Sequence, residues 1–319
     1  MSRTAASPPA NATAPPPRRR RQIRTQATPW LFAAPAVLFF TMFLIVPIGY
    51  AVYLSFRGFR IRGGGAFGQR VETFVGLDNY QAVFTDHEYF AGLGRTLLYG
   101  VIAVPSVLGL ALLFALLLDT PRIRARGFAR TAIFLPYAVP GVIASLLWGF
   151  LYLPSTSPVN YLAGKLDAGP LDFFGFPTLY FSLANIALWS GVGFNMVIIY
   201  TALRSISPSV YEAARIDGAS ELQIALRIKI PLVAPALVLT GLFSIIGTLQ
   251  LYSEPATLRP VTTTISSTWV PLMKIYQEAF TNDNLGGAAA ASVVLALGIL
   301  TLSLLLLRVL QRRTFGDNA

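Results

Sequence analysis

The sequence contains no cysteine and a single histidine, His87, among its 319 residues. Without cysteine the chain forms no disulfide bond, holds no cysteine-based zinc site and performs no thiol catalysis. One histidine is too few for a histidine-rich metal site. Charged residues make up 12% of the chain, about half of the roughly 25% typical of soluble domains. Most of the chain therefore does not face water.

The chain instead contains six long apolar runs, each about 20 residues or more, the length that crosses a hydrocarbon core of roughly 30 Å as a helix. They are Trp30–Phe56, Thr96–Leu118, Thr131–Leu153, Thr178–Leu203, Leu232–Leu251 and Ala288–Leu307. Lipid offers the backbone no hydrogen-bond partner, and the runs are too long for the alternating strands of a barrel. The sequence therefore predicts an all-α membrane protein with six transmembrane helices.

The distribution of Lys and Arg indicates how the chain is oriented. If both termini are cytoplasmic, the inner segments hold 17 of the 25 Lys and Arg residues, as the positive-inside rule requires. The outer segment 57–95 carries five arginines and runs against the rule. We expect a multi-pass cell-membrane protein with both termini cytoplasmic. Its net charge of +11 then reflects topology rather than nucleic-acid binding.

The runs divide the chain into segments. Residues 1–29 are rich in Pro, Ala and Arg and predict a disordered basic cytoplasmic tail; a signal peptide is the alternative. The first transmembrane helix is predicted at 30–56. This run is longer than a signal-peptide core and lacks an A-x-A site, so we interpret it as an uncleaved anchor. Residues 57–95 form an extracytoplasmic loop, whose second half fits a helix on the membrane surface or a connecting helix packed on the bundle. A core bundle, 96–313, and a C-terminal tail, 314–319, complete the prediction.

The most polar segment between two apolar runs is "YEAARIDGASELQIALRIKIPLVAP", at residues 211–235. Ser207-Pro208 is typical of a helix start, and Ser209-x-x-Glu212 offers an overlapping capping box. Gly218 then permits a left-handed stop. A second capping box, Ser220-x-x-Gln223, opens another helix, and Pro231 bends the chain into the next run. The pattern predicts two rigid short helices joined at a glycine on the cytoplasmic face.

The first of these helices has small apolar residues on one face, Val210, Ala213 and Ala214. Small residues on a projecting helix let another protein's surface approach closely, so we favour a docking element. The alternative is a well-capped connection between spans that has no partner.

The spacing of this segment resembles the EAA loop of ABC-importer permeases. Glu212-Ala213-Ala214, Gly218 and Ile230-Pro231 carry the resemblance, and Asp217 before the glycine is similar to the carbohydrate-uptake branch. Four further segments resemble that branch: "FVGLDNYQAVF" (74–84), "IFLPYAVPGVIASLLWGFLY" (133–152), "LQLYSEPATL" (249–258) and "IYQEAFTNDNLGGAAAASVVLAL" (275–297). They look most like the subunit that heads the permease heterodimer of maltose-type and glycerol-phosphate-type importers, and the similarity covers most of residues 30–313. The chain departs from the family at Ala225, where phenylalanine is usual, and at "LRPVTTT", where a Gly-Gly-Pro block is common.

The resemblance implies the permease subunit of an importer for a sugar, oligosaccharide or related polyol phosphate, with an importer-permease bundle and a cytoplasmic coupling loop at 204–231. The chain itself would not be an enzyme: it lacks the G-x-x-x-x-G-K-[ST] phosphate loop and would bind no cofactor, and ATP and Mg would lie on a partner ATPase. The implied partners are a cytoplasmic ATP-binding subunit dimer, a second permease subunit, which the family favours as a paralogue, an extracytoplasmic substrate-binding protein and membrane lipid. The residues that the resemblance assigns to ATPase coupling are Glu212, Ala213, Ala214, Asp217, Gly218 and Pro231. The sequence does not name the sugar.

A substrate pathway is predicted from polar and aromatic residues on the fourth and fifth runs, together with Tyr252 and Glu254 just beyond the fifth run, which alternatively contact an external binding protein. A face of the fourth run offers an amide, an indole and a phenol, which suit a sugar; its indole and amide are alternatively interfacial anchors. Small residues on the fifth run fit a pathway or close helix packing. The predicted pathway residues are Asn185, Trp189, Met196, Tyr200, Ser244, Tyr252 and Glu254.

Two other function classes compete with this interpretation. An ion- or proton-coupled secondary transporter needs charged residues within its spans, which are almost absent here; the same absence favours an uncharged substrate. A membrane scaffold or insertase-like protein needs no polar stripe in the fourth run.

Overall fold

The computed structural model describes residues 20–62, 69–120 and 124–315. These residues form helices almost throughout, with one two-stranded hairpin. The chain divides into two compact units, Met1–Ala51 and Val52–Ala319. The predicted all-α membrane fold is confirmed.

The first unit is built from one apolar helical segment. It contains α1 (Arg20–Phe40), a π-helical turn (Thr41–Ile45) and the start of α2 (Val46–Ser55). Its described side chains are exposed from Pro29 to Tyr50, as expected of a helix whose solvent is lipid. The helix begins at Arg20, within the predicted tail, because the Arg, Gln and Ala residues before Pro29 favour helix without being apolar. The rest of the predicted tail, residues 1–19, lies outside the described residues.

The segment predicted as an outer loop, 57–95, has more structure than the sequence indicated. Strand β1 (Arg57–Arg62) pairs antiparallel with β2 (Gln69–Phe74). Helix α3 (Asp78–Thr85) follows, and α4 (His87–Asp119) begins nine residues before the predicted Thr96. The prediction missed the hairpin, although in β1 the apolar Phe59 and Ile61 alternate with Arg60 and Arg62, which is the pattern of a strand with one exposed face.

Helix α4 starts at a well-defined cap. The Asp86 carboxylate accepts the backbone N–H of Glu88 at 2.9 Å and that of Tyr89 at 3.1 Å. The Lys274 ammonium lies 2.8 Å from the other Asp86 oxygen. Lys274 belongs to α14 (Pro271–Phe280), so the cap also attaches α14 to α4.

The core of the second unit lies between α4 and α8 (Thr178–Arg204). A row of small or medium side chains at every fourth position of α4 is buried, and these are Ala103, Val107, Ala111 and Ala115. Val107, Ala111 and Ala115 form one buried cluster with Val192, Met196 and Ile199 of α8. Small residues at this spacing let two membrane helices approach closely.

Two of the six predicted spans are bent rather than continuous. Helices α5 (Arg126–Phe134) and α6 (Gly141–Tyr152) flank a 3₁₀ turn (Leu135–Ala138) and meet at 95°. The predicted span Thr131–Leu153 is therefore a bent pair of helices rather than one continuous helix, because Pro136 and Pro140 interrupt it. At the bend, a side chain at Gly193 of α8 would overlap the carbonyl oxygen of Ile133, so only glycine fits there.

The fifth predicted span, Leu232–Leu251, also contains a break. The helical segment Glu221–Leu232 meets α12 (Ala234–Leu249) at 66°. Among the described residues, four helices are long and apolar enough to span a membrane, or six if each bent pair is one span. The count of six therefore holds only when the two bent pairs are included.

The remaining elements complete the bundle. They are α7 (Pro158–Lys165), α9 (Pro208–Ile216), α10 (Glu221–Ile224), a π-helical turn (Ala225–Lys229), α11 (Ile230–Leu232), α13 (Ser253–Leu258), a 3₁₀ turn (Arg259–Val261) and α15 (Leu285–Phe315). Helix α15 extends beyond both ends of the predicted Ala288–Leu307. It enters the predicted C-terminal tail, of which residues 316–319 lie outside the described range.

Candidate functional site

Residues 207–231 form the predicted pair of short helices. Helices α9 and α10 are joined at Gly218, whose φ of +81° is the left-handed conformation that glycine adopts most readily. The Ser220 hydroxyl accepts the Gln223 N–H at 3.3 Å, and the Gln223 side-chain oxygen accepts the Ser220 N–H at 2.8 Å. The second capping box is therefore confirmed, and its two reciprocal hydrogen bonds stabilise the turn at the start of α10.

The first capping motif differs from the prediction. Ser207 occupies the cap position, but its hydroxyl lies 2.8 Å from the Ser209 hydroxyl and caps no backbone amide. The overlapping box predicted for Ser209 and Glu212 is wrong, because Pro208 begins the helix and places Ser209 inside its first turn.

A buried ion pair attaches this loop to the end of α4. The Lys229 ammonium lies 2.5 Å from one oxygen of Asp119, and their side chains are only 10% and 4% exposed. The Arg204 guanidinium approaches the other Asp119 oxygen at 3.9 Å from solvent. The Lys229 nitrogen also lies 4.9 Å from the centre of the Tyr211 ring. One carboxylate thus connects α4, α8 and the loop.

The surroundings of Tyr211 reflect this arrangement. Burial, together with the nearby Asp119 charge, raises the pKa of the Tyr211 phenol above its usual value. Its hydroxyl oxygen is buried and has no hydrogen-bond partner among the described residues. The exposed Glu212 lies at the rim of a pocket of about 200 Å³ that Tyr211, Asp119 and Lys229 also line.

The loop also exposes large apolar side chains. Ile216 is 87% exposed, Leu222 68% and Leu226 56%. Beside them the chain has Ala225, where the family pattern has phenylalanine. Large exposed aliphatic side chains on a capped turn are typical of a protein contact surface. Of the residues predicted for coupling, Glu212, Ala213, Asp217, Gly218 and Pro231 are exposed and Ala214 is buried.

A second feature is a cavity of about 540 Å³ between α4, α8 and α12. Tyr99 of α4, Ser190 and Asn195 of α8 and Ser244 of α12 contribute to its lining. The Tyr137 ring, at the bend between α5 and α6, stacks on Phe194 with their centroids 4.8 Å apart. Polar groups and aromatic faces therefore meet in one cavity within the bundle.

Three of the seven predicted pathway residues line this cavity, and these are Ser244, Tyr252 and Glu254. The other four lie elsewhere on α8. The Asn185 amide donates to the Tyr152 hydroxyl at 2.9 Å, and Trp189 packs edge-on against Trp148 at 6.3 Å. Met196 is fully buried against α4, and Tyr200 packs on the same cluster. The assignment of a substrate pathway to these residues stays a prediction.

Sequence reasoning missed most of the cavity wall. The face of α8 that reaches the cavity carries Ser190, Gly191, Phe194 and Asn195, whereas the predicted stripe began at Asn185. The spacing of Ser190 and Phe194, four residues apart and next to two small or polar residues, was the available signal. The contribution of Tyr99 could not be found in this way, because it depends on which face of α4 meets α8.

Glu254 is the charged group in the cavity wall among the described lining residues, which include no Lys or Arg. It lies in α13, between the fifth and sixth spans. Burial raises the pKa of the Glu254 carboxyl above its usual value. This half of the cavity therefore offers hydrogen bonds and aromatic surface but no positive charge.

Comparisons with known proteins cover nearly the whole chain. Residues 93–316 match the family model described as "Binding-protein-dependent transport system inner membrane component". The sn-glycerol-3-phosphate transport system permease protein UgpA of Escherichia coli O157:H7 is 30% identical over 298 residues, which are 92% of this chain and 97% of that protein. The probable ABC transporter permease protein y4oQ of Sinorhizobium fredii (strain NBRC 101917 / NGR234) is 29% identical over 291 residues, 90% of each chain.

A solved structure shares the fold. The bacterial ABC transporter involved in the import of the acidic polysaccharide alginate matches with a TM-score of 0.78 at 22% identity, over 93% of this chain and 99% of that chain. A bacterial alginate ABC transporter in complex with an alginate pentasaccharide-bound periplasmic protein matches with a TM-score of 0.77 at 20% identity, over 93% of this chain and 99% of that chain.

Proposed function

This chain belongs to the family of binding-protein-dependent transport system inner membrane components, and from that premise we propose that it conducts a neutral sugar or oligosaccharide through an ATP-driven importer. It is a permease subunit of a binding-protein-dependent ABC importer. The observation that supports this proposal most strongly is that one chain contains two features. These are a capped turn with an exposed apolar face and a bundle cavity with polar and aromatic walls.

The loop at 207–231 is the element that couples transport to ATP. Ile216, Leu222 and Leu226 supply the apolar surface on which a cytoplasmic ATP-binding subunit docks, with Glu212 and Asp217 at its polar rim. That subunit, present as a dimer, carries ATP and Mg. The Asp119–Lys229 ion pair supports this role, since it ties the docking loop to the end of a helix that lines the cavity.

The cavity favours an uncharged substrate. Two of the proteins named above have anionic substrates in their names, a glycerol phosphate and an acidic polysaccharide. The cavity wall in this chain contributes the carboxyl of Glu254 and no cation, and a carboxylate in a low-dielectric cavity disfavours a second negative charge. The stacked Tyr137 and Phe194 rings and the Asn195 amide suit the apolar face and hydroxyl groups of a sugar.

The importer requires three further kinds of partner. A second permease subunit, a paralogue of this chain, completes the pathway, and an extracytoplasmic binding protein delivers the sugar. Both termini of this chain are cytoplasmic in this arrangement, which places the docking loop beside the ATPase. Lipid covers the remaining exposed apolar faces.

Uptake by the reconstituted importer tests the proposal. Proteoliposomes containing this chain with its second permease, ATPase and binding protein are supplied with ATP and with radiolabelled maltose, trehalose, cellobiose or sn-glycerol 3-phosphate. We expect ATP-dependent uptake of a neutral sugar and none of the phosphate ester. Uptake of the phosphate ester alone would refute the neutral substrate, and uptake by this chain alone under a proton gradient would instead establish a secondary transporter.

A further inference from the structure

A second pocket lies next to the cavity, at the end of the bundle opposite the docking loop. It has a volume of about 270 Å³, slightly below the roughly 300–1,000 Å³ of small-molecule sites, so it suits a group of about one sugar ring. The residues that concern its chemistry are Tyr252, Arg259, Ser267, Tyr276, Gln277 and Thr281. Tyr252 lines both this pocket and the central cavity, so the two spaces are neighbours.

Aromatic surface forms one wall of the pocket. The Tyr252 and Tyr276 ring centres are 5.8 Å apart and tilted by 47°. The Phe280 ring, which lines a separate pocket, lies 4.7 Å from the Tyr276 ring. Tyr276 is 51% exposed, although other side chains of the same helix are buried. A tyrosine ring offers an apolar face with a polar hydroxyl at its edge, which matches the C–H face and rim hydroxyls of a pyranose.

The polar groups of the pocket are available to a ligand. The Gln277 side-chain oxygen is buried and has no hydrogen-bond partner in the described part of the chain. Buried acceptors are nearly always satisfied, so this oxygen indicates that a donor from outside the chain belongs here. Arg259 takes part in none of the ion pairs found among the described residues, and its guanidinium offers forked donors to adjacent hydroxyls.

We propose that this pocket is a carbohydrate subsite, in which Tyr276 stacks on a sugar ring and Gln277 accepts a hydrogen bond from one ring hydroxyl. The proposal rests on the proposed function, since it assumes a sugar substrate. It adds a second sugar-binding position beside the central cavity. It assigns recognition of the sugar ring to Tyr276, Gln277 and Arg259, none of which the sequence had indicated. The competing occupant of the same surface is the second permease subunit.

The absence of cysteine from the chain allows a direct test. Thr281→Cys, at the exposed pocket rim, provides one thiol in the assembled importer, the thiols of the other subunits having been replaced. This thiol is reacted with glucosyl-, galactosyl- or mannosyl-ethyl methanethiosulfonate and with the sugar-free hydroxyethyl reagent. The matched control is Ala168→Cys, an exposed position outside the pocket. The rate for each reagent is read from the mass of this chain.

We expect at least one sugar reagent to react about tenfold faster at Thr281→Cys, relative to the sugar-free reagent, than at the control, because binding holds it beside the thiol. The labelling rates of the three sugar reagents should differ, because the single Gln277 amide oxygen accepts a hydrogen bond from one hydroxyl and the orientation of the hydroxyls differs among the sugars. Adding Tyr276→Ala or Gln277→Leu should abolish the enhancement, whereas Tyr276→Phe should keep most of it. Ser267→Cys serves as a second rim thiol if Thr281→Cys does not assemble.

Equal relative rates at the pocket and control thiols for all three sugars would overturn the subsite. So would a pocket thiol that reacts in the isolated chain and is blocked in the importer, since the second permease then covers it. The measurement uses no ATP and no transport, so its failure leaves the proposed import function untouched. Failed uptake with a positive labelling result would refute the import function instead.

Discussion

Removing one partner of the Asp119–Lys229 pair should destabilise the protein far more than removing both. Lys229→Met leaves the Asp119 carboxylate, 4% exposed, with only the Arg204 guanidinium at 3.9 Å. Loss of one partner of a buried pair costs about 3–5 kcal/mol. At roughly 2 °C per kcal/mol for a large domain, the unfolding midpoint falls by about 6–10 °C.

The partner variants separate the ion pair from simple packing. Asp119→Asn should cost less, because the Lys229 ammonium keeps the Tyr211 ring at 4.9 Å, a contact of about 0.5–2 kcal/mol. The double variant Asp119→Asn/Lys229→Met contains no unpaired buried charge, since the Arg204 side chain is 58% exposed, and we expect it to lie within about 2 kcal/mol of the parent. The two single losses therefore should not add.

The midpoint is measured in detergent from the fluorescence of the four tryptophans, together with the yield of the complex with the ATPase. Lys165→Met, at an exposed lysine that contacts only the Tyr161 ring at 4.7 Å among its recorded partners, is the control and should change the midpoint little. If the double variant loses as much as the sum of the two single variants, the two groups act independently and the ion pair does not anchor the loop.

Three further predictions concern the loop and the start of α4. Gly218→Val should abolish co-purification with the ATPase while membrane insertion persists, because a β-branched residue at φ +81° costs about 1–2 kcal/mol. Gly218→Asn is the tolerated control. Full uptake by the valine variant would contradict the prediction. Ile216→Asp should leave the unfolding midpoint unchanged, since the side chain is 87% exposed, yet weaken ATPase binding about tenfold or more; unchanged affinity in a titration would remove Ile216 from the docking surface. Burial opposes ionisation of Asp86, but the Lys274 and backbone hydrogen bonds outweigh it and lower its pKa from 3.8, so its stabilising contribution is full above about pH 5 and is lost as the pH falls through the folded pKa. The midpoint difference between the parent and Asp86→Asn should therefore shrink below pH 4, and a difference that grows there would reverse the sign.

The parts of the fold that local chemistry determines could be predicted from the sequence. Apolar length identified the spans, and the glycine and serine signals at Gly218 and Ser220 identified the turn of the docking loop. These features depend on residues within a few positions of one another. The capping box at Ser220 formed as predicted because both of its hydrogen bonds are local.

The parts that depend on neighbouring helices could not be predicted in the same way. A helical wheel places Asn185, Trp189 and Met196 on one face, but it does not say that α6 and α4 occupy that face. Pro136 and Pro140 interrupt the helix between α5 and α6, yet the 95° angle depends on α8 approaching closely at Gly193. The assignment of the cavity wall therefore required the packed structure.

The 66° break before α12 has a mechanical consequence. The segment Glu221–Leu232 is about 18 Å long at helical rise, and it turns on Val233, whose side chain is 1% exposed. Such a segment would rotate as a rigid body about Val233, which is fixed in the bundle. Tilting it by about 10° sweeps the Glu221 end through roughly 3 Å, while Lys229, close to the pivot, moves only a fraction of that distance.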